Sequence, residues 1–143
     1  MNAPRLPEEL RFRVRLTTRW SDEDTQGVLN NAVYLTLLEE SRHRYFSELG
    51  LLENNQFPFV LLQTNARFLA PLRGGEEVEV AVATTNLGNS SFQQAYRITS
   101  TSSDTVACEA EALLVGWDGE KRAKKDLGDA FRKAVRTLEG AAQ

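Results

Sequence analysis

From Asn31 to Leu49 the apolar residues Tyr34, Leu37, Leu38, Tyr45, Phe46 and Leu49 return every three or four positions, whereas long segments on either side alternate in twos. The first spacing belongs to an amphipathic helix and the second to strands. Asn30 is the expected N-cap of the helix, because its side-chain oxygen can accept from an amide of the first turn. Gly50 tolerates the left-handed conformation of a C-terminal cap, with Leu51 packing back on the last turn. Glu39, Glu40, Arg42, Arg44 and Glu48 are expected to point away from the apolar stripe, and so is His43.

Ahead of this helix, Phe12, Val14, Leu16 and Trp20 fall on one face of a strand and Arg11, Arg13, Arg15 and Arg19 on the other. The arginine row reads as a solvated sheet face. Behind the helix, strands are expected over Phe57 to Ala70, Val78 to Asn86, Phe92 to Ser100 and Val106 to Trp117. Gly74-Gly75, Gly88-Asn89 and Ser102-Ser103-Asp104 punctuate them as hairpins. One long helix followed by an antiparallel meander is an α+β pattern. Phe59 to Leu69 and Ala110 to Val115 are apolar on both faces, and one helix covers only one, so a second subunit is the expected cover for the other. Asp126 to Glu139 reads as a short surface helix carrying Leu127, Phe131, Val135 and Leu138. The 143 residues fit one domain, with a core over about 11–118 and this helix as its tail.

The 17 basic and 20 acidic side chains give a net charge of -3, which points to neither nucleic acid nor a membrane surface as partner. Cys108 is the one cysteine; no internal disulfide is possible, in keeping with a reducing compartment. Residues 1–10 carry Pro4, Pro7, Glu8 and Glu9 and no apolar run of signal-peptide length, so the cytoplasm is the expected location. With His43 as the one histidine, no metal-ligand spacing is present, and no cofactor is expected.

The segment Arg19-Trp-Ser-Asp22-Glu-Asp24-Thr-Gln-Gly27-Val28-Leu-Asn30-Asn31-Ala-Val-Tyr34, followed by Glu39-Glu40-Ser41-Arg42, resembles the acyl-CoA thioesterases of the hotdog fold, in the 4-hydroxybenzoyl-CoA thioesterase-like branch. Ala66-Arg-Phe-Leu-Ala-Pro71, Gly75-Glu76 and Gly88-Asn-Ser-Ser91-Phe92 fit the same pattern. The resemblance runs over about residues 12–118. It implies an antiparallel sheet wrapped around one long helix, sites between protomers, and a homodimer or homotetramer acting on an acyl-CoA or acyl-carrier thioester.

The chemistry follows from the loop before the helix. Attack on a thioester carbonyl makes a tetrahedral oxyanion, and a helix N-terminus offers amides without intrahelical partners. If Asn30 serves the amide of Ala32 or Val33, the Asn31 N–H stays free for substrate, and the resemblance puts the oxyanion donor at the same position. Asp22, Glu23 and Asp24 also suit the positive end of the helix dipole. Asp24 stands three residues before Gly27, where the resemblance places the catalytic carboxylate; its two possible roles are nucleophile, giving a mixed anhydride, and general base on water. Gly27 either lets backbone and thioester approach closely or takes a positive φ. Val28 helps to shape the passage, and Tyr34 and Phe92, with Phe59 and Phe68, offer an apolar acyl or aryl pocket. Ser91 either holds the attacking water or the thioester, from a neighbouring subunit, or is simply part of a hairpin turn.

The chain departs from the family pattern in two places. Asn31 stands where a common branch has histidine, and Gly88-Asn89-Ser90 replace basic residues that meet the nucleotide in the 4-hydroxybenzoyl-CoA type. Lys121, Arg122, Lys124 and Lys125 either supply the missing positive charge or form a solvated loop. These departures motivate a second reading, a non-catalytic hotdog protein that binds acyl thioesters or serves as a scaffold. Glu39 or Glu40 in place of Asp24, and a hydratase or dehydratase using His43, are the remaining alternatives.

Overall fold

The computed structural model describes residues 1–140. In chain order the elements are β1 (Phe12–Thr17), a 3-10 turn (Trp20–Asp22), α1 (Asn31–Glu48), β2 (Phe59–Phe68), β3 (Glu77–Leu87), β4 (Ser91–Ser100), β5 (Val106–Asp118), β6 (Ala123–Lys124) and α2 (Asp129–Glu139). The sheet runs β1-β3-β4-β5-β2, every pair antiparallel, with β6 added to β5.

Both ends of α1 are chemically terminated. Asn30 accepts the Ala32 amide on Oδ1 at 2.9 Å. At the other end Gly50 has φ +69°, its amide donates to Ser47 O at 3.0 Å, and the Leu51 amide donates to Phe46 O at 2.9 Å. That pair of bonds is a Schellman cap. The helix buries Tyr34, Leu37, Leu38, Tyr45 and Phe46 against Val78, Val80 and Val82 of β3, Phe92, Tyr96 and Ile98 of β4, and Leu114 of β5. Phe46 lies at the centre of an aromatic group, with Phe59, Phe92 and Phe131 at centroid distances of 4.9, 5.6 and 5.5 Å. Through Phe131 and Val135, α2 seals the same core.

Four local expectations are revised. Trp20 does not continue the buried face of β1: the strand ends at Thr17, and Trp20 opens the 3-10 turn and is 82% exposed. Arg42 does not point outward: it is 4% exposed, its Nε donates to the Tyr96 hydroxyl at 2.8 Å, and its guanidinium lies 5.4 Å from that ring's centroid. A polar chain continues from there, because the Tyr96 hydroxyl donates to Gln94 Oε1, the Gln94 amide donates to Thr84 Oγ1, and Thr84 bonds the Tyr45 hydroxyl, which also reaches Glu139 of α2. Satisfied hydrogen bonds are what allow these groups inside. His43 is half-buried rather than exposed, its ring beside Phe57 and its Nε2 3.2 Å from Asn55 Oδ1. The second sheet face is covered in part by the chain itself, since Leu6 and Leu10 pack on Ala81, Ala83 and Ala95. Small residues there leave room for the N-terminal segment.

What stays open is β2, at the sheet edge, where Leu61 is 48% and Leu62 60% exposed. The arginine row on β1 is paired: Arg13 with Glu79 at 2.7 Å and Arg15 with Glu77 at 2.9 Å, both across the β1–β3 ladder.

Candidate active site

Asp22, Glu23 and Asp24 have separate environments. Asp22 is buried and accepts the Arg19 amide on Oδ2 at 2.8 Å and the Arg19 guanidinium on Oδ1 at 2.9 Å. The side-chain hydrogen bond from Arg19 holds its carboxyl below the usual range. Glu23 accepts the Gly74 amide at 2.9 Å and Arg73 Nε at 3.2 Å, and that backbone bond, with Arg73 second, lowers its pKa also. Both therefore tie the loop to its surroundings, Glu23 reaching the turn ahead of β3.

Asp24 is exposed and, among the described residues, has no charged partner. Its Oδ1 accepts the Gln26 amide at 2.7 Å, its carbonyl accepts the Gly27 amide at 3.1 Å, and its own amide donates to Val28 O at 2.8 Å. Among the described residues Oδ2 has no partner. This small closed turn needs the φ of +75° that Gly27 adopts, while a Cβ there would meet nothing within 4 Å. Of the two reasons a glycine suits position 27, the chain by itself displays the positive φ. Two further amide bonds, Leu29 N to Leu72 O at 2.8 Å and Asn30 N to Asp22 O at 2.9 Å, lead from the turn directly into α1.

In the first turn of α1, Ala32 donates to the Asn30 side chain and Val33 to the Asn30 carbonyl at 2.9 Å. The Asn31 amide donates to no described residue, and Asn31 is exposed. A carboxylate oxygen and a main-chain donor, both without intramolecular partners among the described residues, thus flank the Gly27 turn. Such a pair can activate water, or attack, while holding a developing oxyanion.

The other sequence-derived positions are arranged differently. Tyr34 is 2% exposed; its hydroxyl donates to Ala70 O at 3.3 Å and accepts the Leu72 amide at 3.2 Å, and its ring meets Phe68 edge-on. Burial raises its phenol pKa. Phe92 is 1% exposed and belongs to the aromatic core. In the isolated chain these two rings are packing groups. Ser91, at the start of β4, pairs with Val115, whereas the Asp24 loop adjoins the end of the sheet where Thr17 pairs with Glu77. The ten residues of β4 put about 30 Å between the two ends at roughly 3.3 Å per residue. One chain cannot bring Ser91 to Asp24.

Cys108 is fully buried, and burial, with the Glu109 charge second, pushes its thiol up to about 12; it is a packing group. Lys125 reaches Glu53 at 3.5 Å, whereas Lys121, Arg122 and Lys124 are exposed. Among the described residues no three His, Cys, Asp or Glu side chains gather in a way that could hold a metal ion, and no helix is long and apolar enough to cross a membrane. Arg42 is the inward-facing residue that periodicity missed. Its signal was position: it lies four residues after Leu38, on the edge of the buried stripe.

Comparison with known proteins gives the family and the fold. Residues 18–135 match the Thioesterase-like superfamily, and the chain belongs to that family. Its α+β architecture is the hotdog fold shared by structures of named thioesterases. A Thermus thermophilus thioesterase, crystallised with coenzyme A and zinc, is 34% identical, with 94% of this chain and 98% of that one covered at a TM-score of 0.79. The 1,4-dihydroxy-2-naphthoyl-CoA thioesterase of Synechocystis shares the fold at 20% identity, with 90% and 98% covered and a TM-score of 0.80. The uncharacterized protein YsmA of Bacillus subtilis is 30% identical over 86 residues, 59% of this chain and 58% of that protein, so the match spans little more than half of that relative.

Proposed function

We propose that the protein is an acyl-CoA thioesterase that cleaves its substrate to a free acid and the CoA thiol. The reading rests on Asp24 and the Asn31 amide, which stand on either side of the Gly27 turn along the chain with a carboxylate oxygen and an N–H that no described residue takes up, in a chain that belongs to the thioesterase-like superfamily. The coenzyme A in the 34% identical Thermus structure supports a CoA thioester as substrate.

In this account the Asn31 N–H donates to the carbonyl oxygen as charge develops, an interaction stronger in the transition state than in the ground state. Asp24 either takes a proton from water, which then attacks the carbonyl carbon, or attacks it through Oδ2 to give an anhydride that water later opens. In both routes the C–S bond breaks and the thiolate leaves. Gly27 and Val28 form the wall past which the thioester enters.

Ser91 joins the site only from a second copy, because one chain holds it at the far end of the sheet, while Phe92 packs in the core of its own chain behind that strand start. The edge strand β2, with Leu61 and Leu62 open, is the surface on which that copy docks. A homodimer is the minimum unit, and two dimers would make a tetramer.

The exposure of Asp24 in the single chain favours one competing reading, an acyl-thioester binder without turnover. Thiol release from a panel of short, medium, long and aromatic acyl-CoAs separates the two. Catalytic release supports hydrolysis; saturable binding with no thiol released establishes the binder instead.

A further inference from the structure

Below the first turn of α1, a cavity of about 140 Å³ opens between the helix and β2, lined by Leu35, Thr36, Glu39, Arg42, Leu61 and Thr64. Arg42 is its unusual member. The side chain is 4% exposed, its Nε is used by the Tyr96 hydroxyl, and neither Nη group bonds any described residue. No ion pair among the described residues includes Arg42; Glu39, although it lines the same wall, is not within salt-bridge distance of it. Among the described residues no fully buried polar side-chain atom lacks a partner. The unbonded Nη groups are therefore not fully enclosed, and Arg42 is part of the cavity's lining.

A cation this deeply placed is expected to be paired or hydrogen-bonded. Its two planar Nη donors match the two oxygens of a carboxylate. Asn31, Leu35, Leu38 and Arg42 follow one another at spacings of four, three and four, so they share one side of the helix. The eleven residues from Asn31 to Arg42 rise about 16 Å along the axis at 1.5 Å each. The stripe leads from the oxyanion donor to the guanidinium.

We propose that this cavity receives the far end of the acyl group and that Arg42 selects acyl groups bearing an oxygen acceptor there, a terminal carboxylate above all. The inference rests on the thioesterase reading and names its substrate class. The volume is close to the roughly 150 Å³ of an engineered cavity that binds benzene, so it suits a short polar end rather than a long tail. A site built around an unpaired donor discriminates strongly against an analogue lacking the acceptor, whereas an apolar pocket discriminates weakly.

The test is kcat/KM for matched acyl-CoA series of increasing length, unsubstituted, ω-hydroxylated and ω-carboxylated, on the wild type, Arg42→Lys and Arg42→Met. The wild type should favour the carboxylated member about tenfold or more at the length that reaches the cavity. Arg42→Met should reverse that ranking and Arg42→Lys keep part of it. An unsubstituted preference in the wild type, or an unchanged ranking in folded Arg42→Met, overturns the proposal. Binding of the free diacids to the wild type, followed by the nitrogen-15 signals of the Arg42 side chain against monoacids of equal length, needs neither turnover nor a variant. Diacid shifts without any thioester cleavage would sustain the cavity and remove the hydrolase reading. Cleavage with no preference and no shift would remove the cavity alone, and failure of both would remove both.

Discussion

Three consecutive acids with three environments show why burial and partners, rather than residue type, assign roles at this site. Asp22 and Glu23 are taken up by Arg19, Arg73 and the Gly74 amide, which leaves Asp24 as the exposed one with an oxygen that no described residue holds. Because both held carboxyls are lowered in the fold, their contribution to stability is complete above their ordinary values of 3.8 and 4.5. It is lost as pH falls through the lower, folded values. Titrating the Arg19 and Gly74 amide signals should therefore give midpoints below 3.8 and 4.5 respectively; midpoints at or above those values would contradict the two contacts. The resemblance, which places the catalytic carboxylate three residues before Gly27, ranked Asp24 over Asp22, whereas local backbone logic alone gave Asn30 as the cap and left the Asn31 amide without an intrahelical partner. Neither could place Tyr34 or Phe92. Periodicity says that such a ring faces inward, and only packing says whether the interior is core or pocket.

At the level of elements, the Asp24 loop is positioned by the turn before β3. A Cβ at Gly74 would lie 2.6 Å from both Arg19 O and Trp20 Cα, so Gly74→Ala must push the loop away from the turn. Overpacking of this kind costs about 1–3 kcal/mol, and kcat/KM should fall about tenfold or more with it, although residue 74 is not part of the proposed catalytic pair. Gly27→Ala meets no atom and should instead show the roughly 1–2 kcal/mol of a left-handed backbone in its melting temperature. Equal kcat/KM for wild type and folded Gly74→Ala would show that the turn does not position the site. The bounds of α1 were legible from its Asn30 and Gly50 signals, but β1 ends at Thr17 rather than Trp20 and α2 begins at Asp129 rather than Asp126, because neither end carries so clear a local stop or start. The burial of Arg42 was not legible, since it depends on Tyr96, 54 residues away.

The whole molecule presents its apolar edge at β2 and holds Asp24 and Ser91 near opposite ends of the sheet. Under the proposed function both features call for a second chain, as the apolar character of Phe59 to Leu69 led us to expect. The place of the N-terminal segment was not legible in the sequence, because its cover of Ala81, Ala83 and Ala95 follows from small side chains that carry no periodic signal of their own. Sedimentation should find the wild type dimeric or larger and Leu62→Glu monomeric with little turnover. A monomeric wild type would contradict the shared site. The central claim, that an assembled molecule cleaves thioesters with Asp24 and the Asn31 amide, is met most directly by thiol release from wild type and Asp24→Asn at matched concentrations of folded oligomer. The account predicts that kcat of the variant falls about 100-fold or more, within the usual range for a lost base; turnover within about twofold of wild type would contradict it.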